Sequence, residues 1–189
     1  MSDRNTTIRT MHDLGLAAWF GGSLAGAVAV NGAAADVPDP KQRLIVANAG
    51  WARWAPVNAA AIGAHLLGGA ALLRANRDRV AGQRGVAAMT AAKLTLTGAA
   101  LALTAYSGAL GRKLRTAGGA VVEGGTDPAP STPEEVARVQ QQLGLCQWLI
   151  PTLTGGISVL TALAGEQQRP AHQFAGFVTR PMKWLRPAA

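Results

Sequence analysis

The chain has 189 residues, of which 49% are hydrophobic and only 15% are charged, against about 25% charged residues in soluble domains. The charges are clustered between long neutral runs. The longest of these, residues 139–165, would leave a helix without any polar face, which excludes a soluble helical protein. The net charge of +8 does not indicate nucleic-acid binding, because most basic residues flank apolar runs instead of alternating with aromatic residues.

Four stretches are long and apolar enough to cross a membrane. Such a helix needs about 20 mainly apolar residues, because each residue adds about 1.5 Å across a hydrocarbon core of about 30 Å. The pattern predicts an all-α fold, a four-helix transmembrane bundle formed by one domain, residues 1–169. The predicted spans cover residues 11–31, 55–74, 85–111 and 139–165.

The spans are rich in small residues, which let helix backbones approach closely in a membrane. Six glycines are predicted to pack helices together: Gly22, Gly26, Gly68, Gly69, Gly155 and Gly156. Homodimerisation through the GxxxG pair Gly22–Gly26 is the alternative. A cleaved signal peptide is another alternative for the first span, with residues 33–35 as its cleavage site.

The connection after the first span carries a helix start. Asp39 and Pro40 form a capping signal with proline at the first helical position. We expect a short interfacial helix here, with Trp51 and Trp54 in the headgroup layer and leading into the second span. Trp184, in the basic and aromatic juxtamembrane tail of residues 170–189, is expected to lie in the same layer.

The connection between the third and fourth spans is rich in Gly, Pro and Asp, and residues 116–131 are predicted to form a flexible loop. Thr132 and Pro133 then resemble a second helix cap. Pro151 is expected to kink the fourth span, because it removes one backbone donor.

The distribution of basic residues predicts the orientation. The N-terminus, the 74–84 connection and the C-terminal tail share ten basic residues, and the opposite side carries seven in longer loops. Because positive residues stay in the cytoplasm, most strongly in short loops, both termini are predicted to be cytoplasmic.

Ionisable residues inside a membrane are costly and are functional candidates. The chain has four in or near the spans: His12, Asp13, His65 and Lys93. Counted from the 74–84 connection, His65 and Lys93 both lie about 13 Å deep, whereas His12 and Asp13 are expected to be about 10 Å shallower. A structural polar cluster, a proton or ion relay, haem ligation by the two histidines and metal binding with His12 as one ligand all remain open.

No sequence pattern indicates an enzyme, and no cofactor is predicted outright. Residues 12–22 do resemble the H-x6-W-x-G-G signature in the first helix of copper-resistance D-type membrane proteins, and residues 92–107 are similar to a later helix of that family. The resemblance implies a helical inner-membrane bundle and a role in copper or metal homeostasis. By motif position it carries over to His12, Trp19, Gly21, Gly22 and Lys93. The alanine-rich composition is also similar to that of uncharacterised four-helix membrane proteins of actinobacterial type, which implies a bacterial plasma membrane.

Three functions follow as hypotheses. The first is a structural or accessory subunit of a membrane complex, with the bilayer and either a protein partner or a second copy of the chain as its neighbours. The second is a small transporter or copper homeostasis protein that uses the His/Lys/Asp cluster. The third is a haem- or quinone-associated redox component.

Overall fold

The computed structural model describes residues 5–166, and in this range it confirms the all-α bundle. The tail with Trp184 lies outside the described residues. A π-helical turn, Gly26–Val30, separates the first two helices. The α-helices are α1 (Thr6–Ala25), α2 (Asn31–Ala35), α3 (Pro40–Ala75), α4 (Arg77–Gly82), α5 (Arg84–Thr116) and α6 (Glu134–Glu166).

Four helices are long and apolar enough to cross a membrane, which identifies a helical membrane protein. They cover Thr6–Ala35, Pro40–Ala75, Arg84–Thr116 and Glu134–Gly165. With 30 to 36 residues each, they are at least about 45 Å long, against a hydrocarbon core of about 30 Å. Each helix is therefore much longer than a perpendicular crossing requires.

The helices pair in antiparallel fashion, α1 with α3 and α5 with α6, and α1 also packs along α6. Two adjacent glycines of α6 pack against two different helices. A Cβ atom at Gly155 would lie 3.2 Å from Phe20 of α1, and one at Gly156 would lie 3.6 Å from Leu96 of α5. Contacts between α3 and α5 are sparse, in contrast to the close packing of α5 against α6.

The predicted interfacial helix is wrong as a separate element, because α3 runs unbroken from Pro40 to Ala75. Its start is as predicted, since Asp39 Oδ1 accepts a hydrogen bond from Lys41 N at 3.0 Å. The segment does not turn onto the membrane surface, because its tryptophan rings hold it against the first span. Trp51 also donates a hydrogen bond from Nε1 to Asn31 Oδ1 at 3.0 Å.

The glycine pair of α1 is occupied within the chain. The ring of Trp54 covers Gly22 and the ring of Trp51 covers Gly26 so closely that neither position has room for a Cβ atom. Opposite them, a Cβ atom at Gly50 would lie 2.6 Å from Val30. The Gly22–Gly26 face therefore packs α1 against α3, and it offers no open surface to a second copy of the chain.

The expected flexible loop between α5 and α6 is instead a packed cap on one end of the bundle. Val122 is fully buried, and its N–H donates to Pro40 O at 3.4 Å. Gln140 of α6, also fully buried, donates from Nε2 to Gly124 O at 2.9 Å and to Gly125 O at 3.3 Å. The loop is ordered because side chains of neighbouring helices pair with its backbone carbonyls.

The hydroxyl of Thr132 belongs to the same cap. It donates to Val121 O at 2.6 Å and accepts from Ala129 N at 2.8 Å. This side chain therefore ties the loop together, whereas the sequence pattern had predicted a helix cap. Beyond it, α6 continues through Pro151 to Glu166 without interruption.

Candidate functional site

His12 of α1 and His65 of α3 lie face to face at the point where the two helices cross. Their ring centroids are 4.1 Å apart and their planes are inclined by 19°. His12 Nδ1 lies 2.9 Å from His65 O, and His65 Nδ1 lies 3.2 Å from His12 O. Each histidine thus bonds to the backbone of the other, which fixes both rings.

A repeated pattern makes this crossing possible. Both helices carry H-x-x-G, and residues three apart lie on one helix face. A Cβ atom at Gly15 would lie 2.6 Å from His65 N, and a Cβ atom at Gly68 would lie 2.7 Å from His12 N. The backbone of each histidine therefore rests on the glycine of the opposite helix, and this reciprocal arrangement sets the register.

The expected depth difference between the histidines is wrong. It was counted from the charged residues that flank each span. However, α1 begins at Thr6, and the pairing of Gly15 and Gly68 places His12 and His65 at one level. Helix contacts set the depth, whereas the position of the nearest arginine does not.

The hydrogen bonds determine which ring nitrogens are available. A carbonyl oxygen can only accept, so Nδ1 of each ring carries the proton and donates it. In a neutral imidazole, Nε2 then holds a free lone pair. The pair therefore offers two proton acceptors in one place.

One cavity of about 1310 Å³ brings together all four predicted ionisable residues. It lies among α1, α3, α5 and α6, at the end of the bundle where α4 connects α3 to α5. In the described part of the chain, Asp13 and Lys93 share this cavity without forming a direct ion pair. Lys93 is half-buried.

Next to the histidine pair, the interior of the bundle is buried. The Trp19 ring stands edge-on to His65, with centroids 6.1 Å apart and an angle of 61°. Trp19, Ala100 and Thr154, from three different helices, are each 0% exposed. None of these three side chains lines the cavity, and the described lining residues all lie in the half of the bundle next to α4, so the cavity is confined to that half.

Sequence reasoning missed the cationic character of the site. Arginines from three elements line the cavity together with Lys93, namely Arg9, Arg79 and Arg84. Among the lining side chains that the structure describes, Asp13 is the only acidic one. The clustering of basic residues around the 74–84 connection predicts the orientation of the chain, and it is also the sequence signal for this site.

The histidine pair does not suit one metal ion or a haem in the observed arrangement. A ring nitrogen binds a metal in its own ring plane at about 2.0–2.1 Å. Planes inclined by only 19° intersect far beyond that reach, so both rings cannot bind one ion. Within residues 5–166, no three His, Cys, Asp or Glu side chains are grouped to hold a metal.

The remaining predicted residues lie elsewhere. Gly69 borders the cavity, where a Cβ atom would approach the His12 ring at 3.2 Å. Trp51 and Trp54 of α3 lie towards the opposite end of the bundle, where they pack on Gly26 and Gly22. Comparison of the chain with protein-family models, with curated proteins and with solved structures found no match, so its function has to be inferred from the cavity itself.

Proposed function

We propose that this chain is a non-enzymatic accessory protein of a bacterial plasma-membrane complex, and that it binds a ligand in the one-sided cavity. The observation that supports this function is the convergence of four helices on one charged cavity that is confined to one half of the bundle. Such a cavity holds a ligand without offering it a path across the membrane.

The proposed orientation places the cavity at the cytoplasmic face. Arg74, Arg77, Arg79 and Arg84 lie in or beside the short connection at this end of the bundle. Short, positively charged connections remain cytoplasmic, and the start of α1 lies at the same end of the bundle. Both termini are then cytoplasmic.

Membership in a complex is supported by the other end of the bundle. Arg53 is exposed, and placing its charge inside the hydrocarbon core would be costly. It therefore marks the edge of the hydrocarbon core on α3. Beyond it, Ile45 and Val46 remain 44% and 41% exposed. Apolar side chains at this level would face water, which a protein partner would exclude.

A small transporter is the second candidate, because the four ionisable residues face one cavity. The two functions predict different access from the two sides of the membrane. A binding cavity admits water from the cytoplasm alone, whereas an alternating transporter also exposes its site to the outside.

Cysteine labelling separates them. In a Cys146→Ser background, Thr97→Cys lies in the cavity, and Thr95→Cys, exposed on the same helix but outside the cavity, is the matched control. An impermeant maleimide is applied to inverted and to right-side-out vesicles. We expect labelling of Thr97→Cys in inverted vesicles only and no labelling of Thr95→Cys. Labelling of Thr97→Cys from the outside, or from neither side, would overturn the proposal.

A further inference from the structure

We infer that the ligand is an anionic phospholipid, with its phosphate in the cavity and its acyl chains leaving between α3 and α5. This inference rests on the proposed one-sided binding cavity and names its ligand class. Three features of the cavity support it: its charge, its lateral opening and its size.

The charge of the lining favours an anion. Among the described residues, the lining contains four cations, Arg9, Arg79, Arg84 and Lys93, and one carboxylate, that of Asp13. Among residues 5–166, none of the four forms an ion pair or a side-chain hydrogen bond that would satisfy its charge. A guanidinium group can bind a phosphate through two parallel hydrogen bonds. Basic pockets between membrane helices bind lipid phosphates on the cytoplasmic side.

The opening between α3 and α5 favours a lipid. Leu66 and Leu73 of α3 and Leu94 of α5 line the cavity and are 39%, 39% and 58% exposed. They therefore form an apolar, partly exposed rim on two helices that make few contacts with each other. An acyl chain can run across this rim into the surrounding bilayer without leaving the hydrocarbon phase.

The size of the cavity distinguishes a lipid from a free phosphate ion. A phosphate ion would leave most of the 1310 Å³ unfilled and would make no use of the leucine rim. A glycerol headgroup fills more of this space. The Nε2 lone pairs of His12 and His65, which line the same cavity, are suitable acceptors for its hydroxyl groups.

Native mass spectrometry of the full chain in mild detergent tests this inference. Phosphatidylglycerol and phosphatidylcholine are titrated separately. We expect retention of phosphatidylglycerol to exceed that of phosphatidylcholine by about tenfold, a difference of about 1.4 kcal/mol. Equal retention of the two lipids would overturn the inference, whatever the variants show.

Two matched variants locate the site. Arg84→Gln combined with Lys93→Gln removes two cavity cations, and we expect it to abolish the preference. Arg112→Gln combined with Lys113→Gln removes two exposed cations from the other end of α5, and it should leave the preference intact. Equal loss in both variants would mean that the lipid binds by overall charge and would contradict a cavity site.

Inorganic phosphate separates the two sources of the anion. In the wild-type chain, millimolar phosphate should leave phosphatidylglycerol bound. In the Leu94→Gln variant, retention of the lipid should be weaker, because the substitution disrupts the apolar rim. Complete displacement by phosphate with no effect of Leu94→Gln would identify a free-ion site. If Thr97→Cys labels from the cytoplasmic side but no lipid preference is found, the ligand class is wrong and the one-sided cavity stands.

Discussion

Gly15 shows how one missing side chain sets the contact between the first two spans. A Cβ atom there would lie 2.5 Å from Ala61 O and 2.6 Å from His65 N, both backbone atoms that cannot rotate away. We expect Gly15→Ala to destabilise the bundle by about 1–3 kcal/mol, because overpacking a close contact forces the backbones apart. Thermal unfolding in detergent, followed by circular dichroism, measures this loss.

Gly21 provides the control, since a Cβ atom at this position of the same helix would meet nothing within 4 Å. Gly21→Ala should leave the unfolding temperature unchanged or raise it slightly, because alanine favours a helix. Equal losses for both variants would show that the effect of Gly15→Ala does not come from its contact with α3.

At the other end of the bundle, the packing of the helices also depends on one residue, the buried Asn31. Asn31 Nδ2 donates to Gln147 Oε1 at 2.5 Å, while Asn31 Oδ1 accepts from Trp51. The π-helical turn directly precedes Asn31, and its extra residue changes the direction in which the following side chains point. One asparagine thereby joins α2, α3 and α6.

At the scale of elements, Gln140 holds the cap between α5 and α6. Gln140→Leu removes both hydrogen bonds to Gly124 O and Gly125 O and leaves these carbonyls without that donor. A loss of about 1.4 kcal/mol would raise the opened population of the cap about tenfold. A glutamate-specific protease should then cleave after Glu123 about tenfold faster than in the wild-type protein.

Gln141→Leu changes the neighbouring, exposed glutamine and should not alter the cleavage rate. Rapid cleavage of the wild-type chain would contradict a packed cap. Equal rates in Gln140→Leu and the wild type would instead show that the cap is held by other contacts, such as the buried Val122.

The sequence was sufficient to predict the four helices, because their length and neutrality reflect the bilayer alone. The capping of α3 by Asp39 is local, and it was predicted for the same reason. The stacked histidines were not, since their meeting depends on which faces of two distant segments come together. Two H-x-x-G patterns on apolar helices were visible beforehand, but only the antiparallel register turns them into one contact.

The cap between α5 and α6 was mispredicted for a related reason. Its glycines and prolines are typical of a mobile loop, yet Gly125 is small enough to lie against Ala47, where a Cβ atom would approach to 2.9 Å. The residues that order the loop, Arg43 and Gln140, belong to other elements. Local composition therefore carries no information about this order.

At the scale of the whole molecule, the helices are too long for the bilayer, and this determines which part meets water. The twenty residues between Arg53 and Arg74 suffice to cross the hydrocarbon core, so the first turns of α3 extend beyond it. The protein thus combines a membrane portion that contains the cavity with a capped extension at the opposite end. In the proposed function, the cavity binds the ligand and the extension meets a partner.

Two cysteine variants of α3 test this division. Val46 and Leu67 are both exposed apolar residues, at 41% and 67%, but they lie on opposite sides of Arg53. A thiol reacts with a hydrophilic maleimide only where water supports the thiolate. In proteoliposomes of the Cys146→Ser protein, we expect Val46→Cys to react and Leu67→Cys to react only after detergent is added.

An unreactive Val46→Cys would place this segment in the bilayer and remove the argument for a partner. Slower labelling of Val46→Cys in native membranes than in proteoliposomes would show that a partner covers it.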